Sequence, residues 1–156
     1  MRITKYSVML DKDTMLNKLV KESSTNYSMC TKFTSPSEIV NMLNDIYNLS
    51  ERAEEYLYML AFNTKQKLLG VFEVSHGTAR ATYLSPREIF VRALLCGASN
   101  IVIAHNHPSG DVTPSREDIN STKNLFEASK LIGLCLVDSL IIGGNTYTSL
   151  KEEYIF

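Results

Sequence analysis

Residues 100–104, Asn-Ile-Val-Ile-Ala, form a short β-branched run that ends abruptly on His105-Asn106-His107-Pro108-Ser109-Gly110. An apolar run without polar alternation suits a central strand covered on both faces, so it calls for a sheet with helices packed against it. Pro108 and Gly110 then turn the chain sharply. Pro114-Ser115-Arg116-Glu117-Asp118 opens a helix that runs to about Leu131 and stops at Gly133.

The surrounding segments fit that sheet. Ser35-Pro36-Ser37-Glu38 carries a cap, a proline at the first helical position and a glutamate three residues after the cap. Ile39, Leu43, Ile46 and Tyr47 follow at helical spacing, and the helix is expected to end near Asn48. Tyr56–Phe62 and Leu68–Val74 read as a hairpin around the polar turn 63–66. His76-Gly77 marks a turn, with His76 expected in solvent, and Ala79–Leu84 is a short strand candidate. Ser85-Pro86-Arg87-Glu88 starts a second helix that Gly97 stops. Residues 134–137 and 139–142 read as two pieces of strand, Gly143-Gly144-Asn145 as a hairpin turn, and Tyr147–Leu150 as a closing strand. Hairpins bracketing alternating strands and helices predict a mixed sheet flanked by helices.

Residues 1–34 stand apart from residues 35–156 as an N-terminal arm or extra strands. Ile3–Leu10 alternates weakly, as a strand would, and Asp11–Asp13 reads as a turn. The arm holds six basic and three acidic residues, a balance that suits a solvated surface better than a nucleic-acid contact. Over all 156 residues, Lys and Arg number 16 against 17 Asp and Glu, a formal charge of −1. That excludes a strongly basic chain held to nucleic acid by bulk electrostatics. No apolar run reaches the roughly 18 residues of a membrane-spanning helix. The N-terminus has no signal-peptide core, so a cytoplasmic protein without membrane contact is expected. Cys30, Cys96 and Cys135 are widely spaced and form no Cys-x-x-Cys, which disfavours thiolate zinc fingers and disulfide frameworks.

The chemistry concentrates after the central strand. Residues i and i+2 of an extended chain project to one face, so His105 and His107 can share a metal ion. The carboxyl end of a buried strand is also where α/β sheets build their sites. Asp118, in the first turn of the next helix, can fold back beside them. Two imidazoles and one carboxylate are a catalytic zinc donor set with the fourth position open. Glu117 lies about 100° around the helix from Asp118, so only one of the two should face the metal. Taken alone, His-x-His is weak and Ser115-x-x-Asp118 is an ordinary capping pattern. Their joint occurrence behind a buried strand carries the metal reading.

These residues resemble the JAMM motif of MPN-type metallopeptidases. Ala104-His105-Asn106-His107-Pro108-Ser109-Gly110 with Pro114–Asp118 resembles the RadC-like branch in particular. Gly77-Thr78, Pro86-Arg87-Glu88-Ile89-Phe90, and Asp138 with Ile141-Ile142-Gly143 add to that resemblance, which covers roughly residues 36–156. Ser139 departs from it, because RadC-like chains often show histidine there. Longer RadC proteins carry an upstream helix-hairpin-helix module, and no matching hairpin is seen in the first 34 residues. The resemblance implies an α/β (mixed α+β) fold: a curved mixed sheet flanked by helices, of cytidine-deaminase-like architecture, with one zinc ion. It implies His105, His107 and Asp118 as zinc ligands and Ser115 as a donor to the active-site water or the oxyanion. The family also uses an upstream glutamate as catalytic base, and Glu73 is the best match, four residues before Gly77.

The expected function is therefore zinc-dependent hydrolysis of a peptide or isopeptide bond in a protein or peptide substrate. The alternative is a non-catalytic RadC-like protein of DNA repair or recombination with a structural metal, and DNA-repair proteins as partners. A nucleobase deaminase would need the H-x-E…P-C-x-x-C signature, which is missing. An HNH nuclease distributes its motif over a ββα unit, whereas His105-Asn106-His107 is contiguous.

Overall fold

The β-branched run lies mid-sheet, with Ile101, Ile103 and Ala104 wholly buried. A computed structural model describes residues 1–78 and 84–156. Of the short strand expected at Ala79–Leu84, residues 79–83 lie outside the described residues. The described residues form β1 (Arg2–Leu10), β2 (Asn17–Asn26), α1 (Pro36–Tyr47), β3 (Tyr56–Phe62), β4 (Leu68–His76), α2 (Pro86–Leu95), β5 (Asn100–Asn106), α3 (Arg116–Leu131), β6 (Cys135–Gly143) and β7 (Thr146–Ser149). The strands make one seven-stranded sheet in the order β2-β1-β4-β3-β5-β6-β7. β1/β4 and β5/β6 are parallel and the other pairs antiparallel. This is a mixed α/β fold with helices on both faces.

Strand alternation sorts the core into two halves. On one face, Ile39, Met42 and Leu43 of α1 pack on Tyr58, Leu60, Val102 and Ala104. On the other, Ile89 and Ala93 of α2 and Leu125 of α3 pack on Leu57, Met59, Ile101 and Ile103. Continuing the alternation along β5 puts His105 on the α2/α3 face and Asn106 on the α1 face.

The helix signals behave unequally. Ser35 and Glu38 form the expected reciprocal cap of α1, and Asn48 ends the helix in the left-handed region at φ 51°. Ser85 opens α2 after the same Ser-Pro-x-Glu pattern but makes no side-chain cap bond. There Glu88 is drawn instead to Arg87 at 2.6 Å and Arg92 at 3.2 Å.

Two elements depart from the sequence reading. β2 falls under the extra strands allowed for residues 1–34 but has no range of its own there, because this strand lies at the sheet edge, mostly exposed and polar, and shows no apolar alternation. Residues 134–142 form one strand rather than two pieces. Ile101 pairs with Leu136 but Val102 pairs with Asp138, so Val137 is an extra residue that bulges β6. Asp138 is buried there, and burial pushes its carboxyl up, against the lowering effect of Ser149. Ser149 Oγ donates to it at 2.7 Å and the Ser139 N–H at 2.7 Å, which ties β6 to β7. No helix of the described residues is long and apolar enough to cross a membrane.

Candidate metal centre

Three elements converge at the carboxyl end of β5. His105 is the last residue of that strand on the α2/α3 face. The chain then leaves the sheet, but His107 stays tied to β6 through its N–H, which donates to the Ile142 carbonyl at 2.8 Å. The Gly110 N–H donates back to the His107 carbonyl at 2.9 Å and closes the turn. Gly110 has φ +79°, a conformation that favours glycine. The loop also leans on β6, since a Cβ at Gly143 would stand 2.6 Å from the Gly110 carbonyl oxygen and 2.8 Å from its carbon. Both contacts are with backbone, which cannot swing aside. Gly143→Ala should therefore cost about 1–3 kcal/mol, read as a lower midpoint of thermal or urea unfolding. An unchanged midpoint would show that the loop yields.

The loop delivers α3 with Asp118 in its first turn. Ser115 Oγ accepts from the Asp118 N–H at 3.1 Å, and the Ser115 N–H donates to Asp118 Oδ2 at 2.8 Å. This reciprocal cap fixes the carboxylate rotamer. The Ser115 hydroxyl also donates to Oδ2, at 2.6 Å. Asp118 thus caps its helix and faces the imidazoles at once. Glu117 is exposed, as the helical geometry requires.

His105 Nε2 and His107 Nε2 lie 3.1 Å apart. Asp118 Oδ1 is 3.3 Å from His105 Nε2, and Oδ2 is 3.6 Å from His107 Nε2. A tetrahedral ion with bonds of about 2.0–2.1 Å separates its ligand atoms by about 3.3–3.4 Å. The Asp118 contacts are made by different oxygens, and one ligand atom from each of the three residues lies within 4.8 Å of the others, so the side chains form a cluster that could hold a metal ion. The tautomer agrees. His107 Nδ1 lies 2.7 Å from the Asp111 carbonyl, which can only accept, so Nδ1 carries the proton and the Nε2 lone pair points into the cluster.

The charges are coupled. Burial alone would raise the Asp118 carboxyl, but His105, His107 and Ser115 outweigh it and hold the group well below the usual carboxylate range. The His107 imidazole is raised, chiefly by its hydrogen bond with Asp118, against burial; the Asp111 carbonyl and the Glu55 charge add to the rise.

Glu73 is not brought to this cluster. Leu57 pairs with Ser75 but Tyr58 pairs with Glu73, so Val74 is an extra residue in β4. The bulge leaves Glu73 on the α1 face, beside Tyr58. Its Oε2 accepts from Lys5 Nζ at 2.9 Å and from the Tyr58 hydroxyl at 3.3 Å.

A carboxylate whose charge acts on the cluster is Glu55, which helps raise the His107 imidazole. Leu57 pairs with His105 in antiparallel register, and continuing that register two residues back from Leu57 and two on from His105, past the paired residues, sets Glu55 opposite His107. Its N–H donates to the Thr78 carbonyl at 3.0 Å, and its carbonyl accepts from Gly77 at 2.8 Å. Sequence reasoning passes over Glu55 because its place depends on β3 pairing with β5. The available signal is its position immediately before a buried strand. His76 is exposed, as expected, and ends β4, where it stacks on Tyr56 with ring centroids 4.1 Å apart and bonds to Glu54.

The family model of the RadC-like JAB domain matches residues 33–155. The chain belongs to this family. A UPF0758 protein of Clostridium acetobutylicum is 44% identical over 122 residues, 78% of this chain and 52% of that relative. A UPF0758 protein of Clostridium beijerinckii is 43% identical over 122 residues, again 78% and 52%. One from Alkaliphilus metalliredigens is 41% identical over 122 residues, with the same coverage of 78% and 52%. The chain thus spans about half the length of the curated relatives it matches. The JAB match begins after the β1–β2 hairpin, and His105, His107, Asp118, Ser115 and Glu55 all fall within it.

Proposed function

We propose that this RadC-like JAB domain is a zinc-dependent hydrolase of the JAMM type, acting on a peptide or isopeptide bond of a protein or peptide substrate in the cytoplasm. The observation that carries the reading is the convergence of two imidazole nitrogens and one carboxylate at ligand spacing. Three protein ligands are the catalytic rather than the structural pattern. Zinc held there would supply a Lewis acid and water with its pKa lowered to about 7.

The chain's own residues would do the rest. Glu55, whose charge acts on His107, would take the proton from the attacking water and return it to the leaving amine. Ser115 has one hydroxyl proton, which now goes to Asp118. Rotating it toward a developing oxyanion leaves Asp118 still held by the Ser115 N–H. The Asp111 carbonyl keeps His107 in its ligating tautomer.

The purified chain should take up about one equivalent of zinc and cleave members of a peptide and isopeptide panel. Chelator should abolish the cleavage and zinc should restore it. A zinc-loaded chain that leaves the whole panel intact would sink the hydrolase reading.

A further inference from the structure

His105 and His107 face one side of the sheet, and the residue between them faces the other. Asn106 is fully buried on the α1 side. A valine or leucine would serve packing there, since a buried amide is costly unless satisfied. Asn106 Oδ1 accepts from the Tyr56 N–H at 2.8 Å. Its Nδ2 donates to the Glu54 carbonyl at 3.0 Å and to the Arg52 carbonyl at 3.4 Å. All three partners are backbone groups of one short segment, and that segment carries Glu55.

Residues 52–55 form neither helix nor strand, and residues 52–54 are exposed, so polar contacts set their path, among them Arg52 donating to the Tyr47 carbonyl at 3.0 Å and Glu54 bonding to His76. The Glu55 peptide is held from β4's side by Gly77 and Thr78, and the residues around it from β5's side by Asn106.

We propose that Asn106 is a positioning residue that locks the glutamate segment to the metal-ligand strand. The strand that aims two imidazoles toward the metal uses its intervening side chain, on the opposite face, to fix where the carboxylate of Glu55 stands. The proposal rests on the reading of Glu55 as the base. It adds how that base is held, and it assigns the middle residue of His-x-His a task distinct from ligation.

The test uses the zinc-loaded chain with Asn106→Ala and Asn106→Thr. The threonine keeps a strand-compatible shape without the amide and replaces the alanine variant if that one does not fold. Zinc affinity, measured by competition with a chromophoric chelator, should change by less than the roughly tenfold that marks loss of a ligand's hydrogen-bond partner. Amide hydrogen exchange at Tyr56 should quicken, while the interior of β3 keeps its protection. On a substrate the parent chain cleaves, kcat should fall by about 10²-fold with KM little changed, as misplacement of a catalytic group by about 1 Å can cause. In a Glu55→Gln background the same substitution should cause no further loss, since it acts through Glu55. An equal loss in both backgrounds, or unaltered exchange at Tyr56, overturns the proposal. A parent chain inert toward every substrate overturns the hydrolase reading and the positioning role with it; the two failures are distinguishable because only one of them requires an active parent.

Discussion

Asp118→Asn is expected to release the metal while leaving α3 in place. The amide oxygen can still accept from the Ser115 N–H, so the helix cap survives. What is lost is the anionic ligand. The zinc affinity should fall by more than about 100-fold, beyond the roughly 10–100-fold that follows removal of an outer hydrogen-bond partner. Ser115→Ala is the control. It removes the cap hydroxyl at a cost of about 1 kcal/mol but leaves the carboxylate, so its effect on zinc should stay within the outer-partner range. If the two variants lost zinc equally, Asp118 would be acting as a cap and not as a ligand. The metal-free proteins offer a second readout. The His107 imidazole is raised from its ordinary 6.5 chiefly by Asp118, and the Asp118 carboxyl is lowered from 3.8. The raised imidazole contributes stability that is full below its unfolded value and is lost as pH rises through the raised one. The lowered carboxyl contributes above its unfolded value and loses that contribution only in strong acid. Metal-free Asp118→Asn should therefore lag the parent most between about pH 5 and 6.5 and less at alkaline pH, where the imidazole's share is gone and the carboxylate's bonds to Ser115 remain, in urea unfolding followed across that range.

The residues that hold the cluster were legible because their chemistry is local. His105 and His107 are two apart on a strand that its own apolar run announces. Asp118 follows one turn into a helix that Ser115 marks. Spacing alone brings those groups together once the sheet is accepted. The glutamate was not legible in that way. Glu73 and Glu55 both lie at the margins of apolar strands, and choosing between them requires the pairing of β3 with β5 and the face each side chain takes. One extra residue, Val74, reverses the face of Glu73, and nothing in the letters around it marks a bulge. The same limit applies at Val137, whose bulge made one strand read as two. β2 escaped for the opposite reason, because a polar edge strand obeys only backbone pairing and leaves no periodic trace. Signals carried by side-chain chemistry survived, whereas those that depend on partner strands did not.

The two glutamates separate by experiment. Glu55→Gln should keep zinc and lose hydrolysis by about 10²–10⁴-fold, the usual contribution of a positioned acid–base group. Glutamine preserves the shape and the backbone bonds to Gly77 and Thr78, so nothing but the proton acceptor disappears. Glu73→Gln should leave hydrolysis intact, because its carboxylate is engaged on the far face of the sheet. Its expected cost is small. Lys5 Nζ keeps a second carboxylate, Glu22, at 3.0 Å, and a partly exposed pair contributes about 1 kcal/mol or less. Steady-state kinetics and zinc content of the two variants decide the matter together. Should Glu73→Gln abolish hydrolysis while Glu55→Gln does not, the proton would have to cross a closed sheet between Tyr58 and Leu57, and the placement of the base argued from the β3–β5 register would be wrong. The register argues the other way. A base for water held at His105 and His107 must share their face; the alternation of β3 continued one residue before its start puts Glu55 there, whereas Glu73 pairs with Tyr58 on the other face.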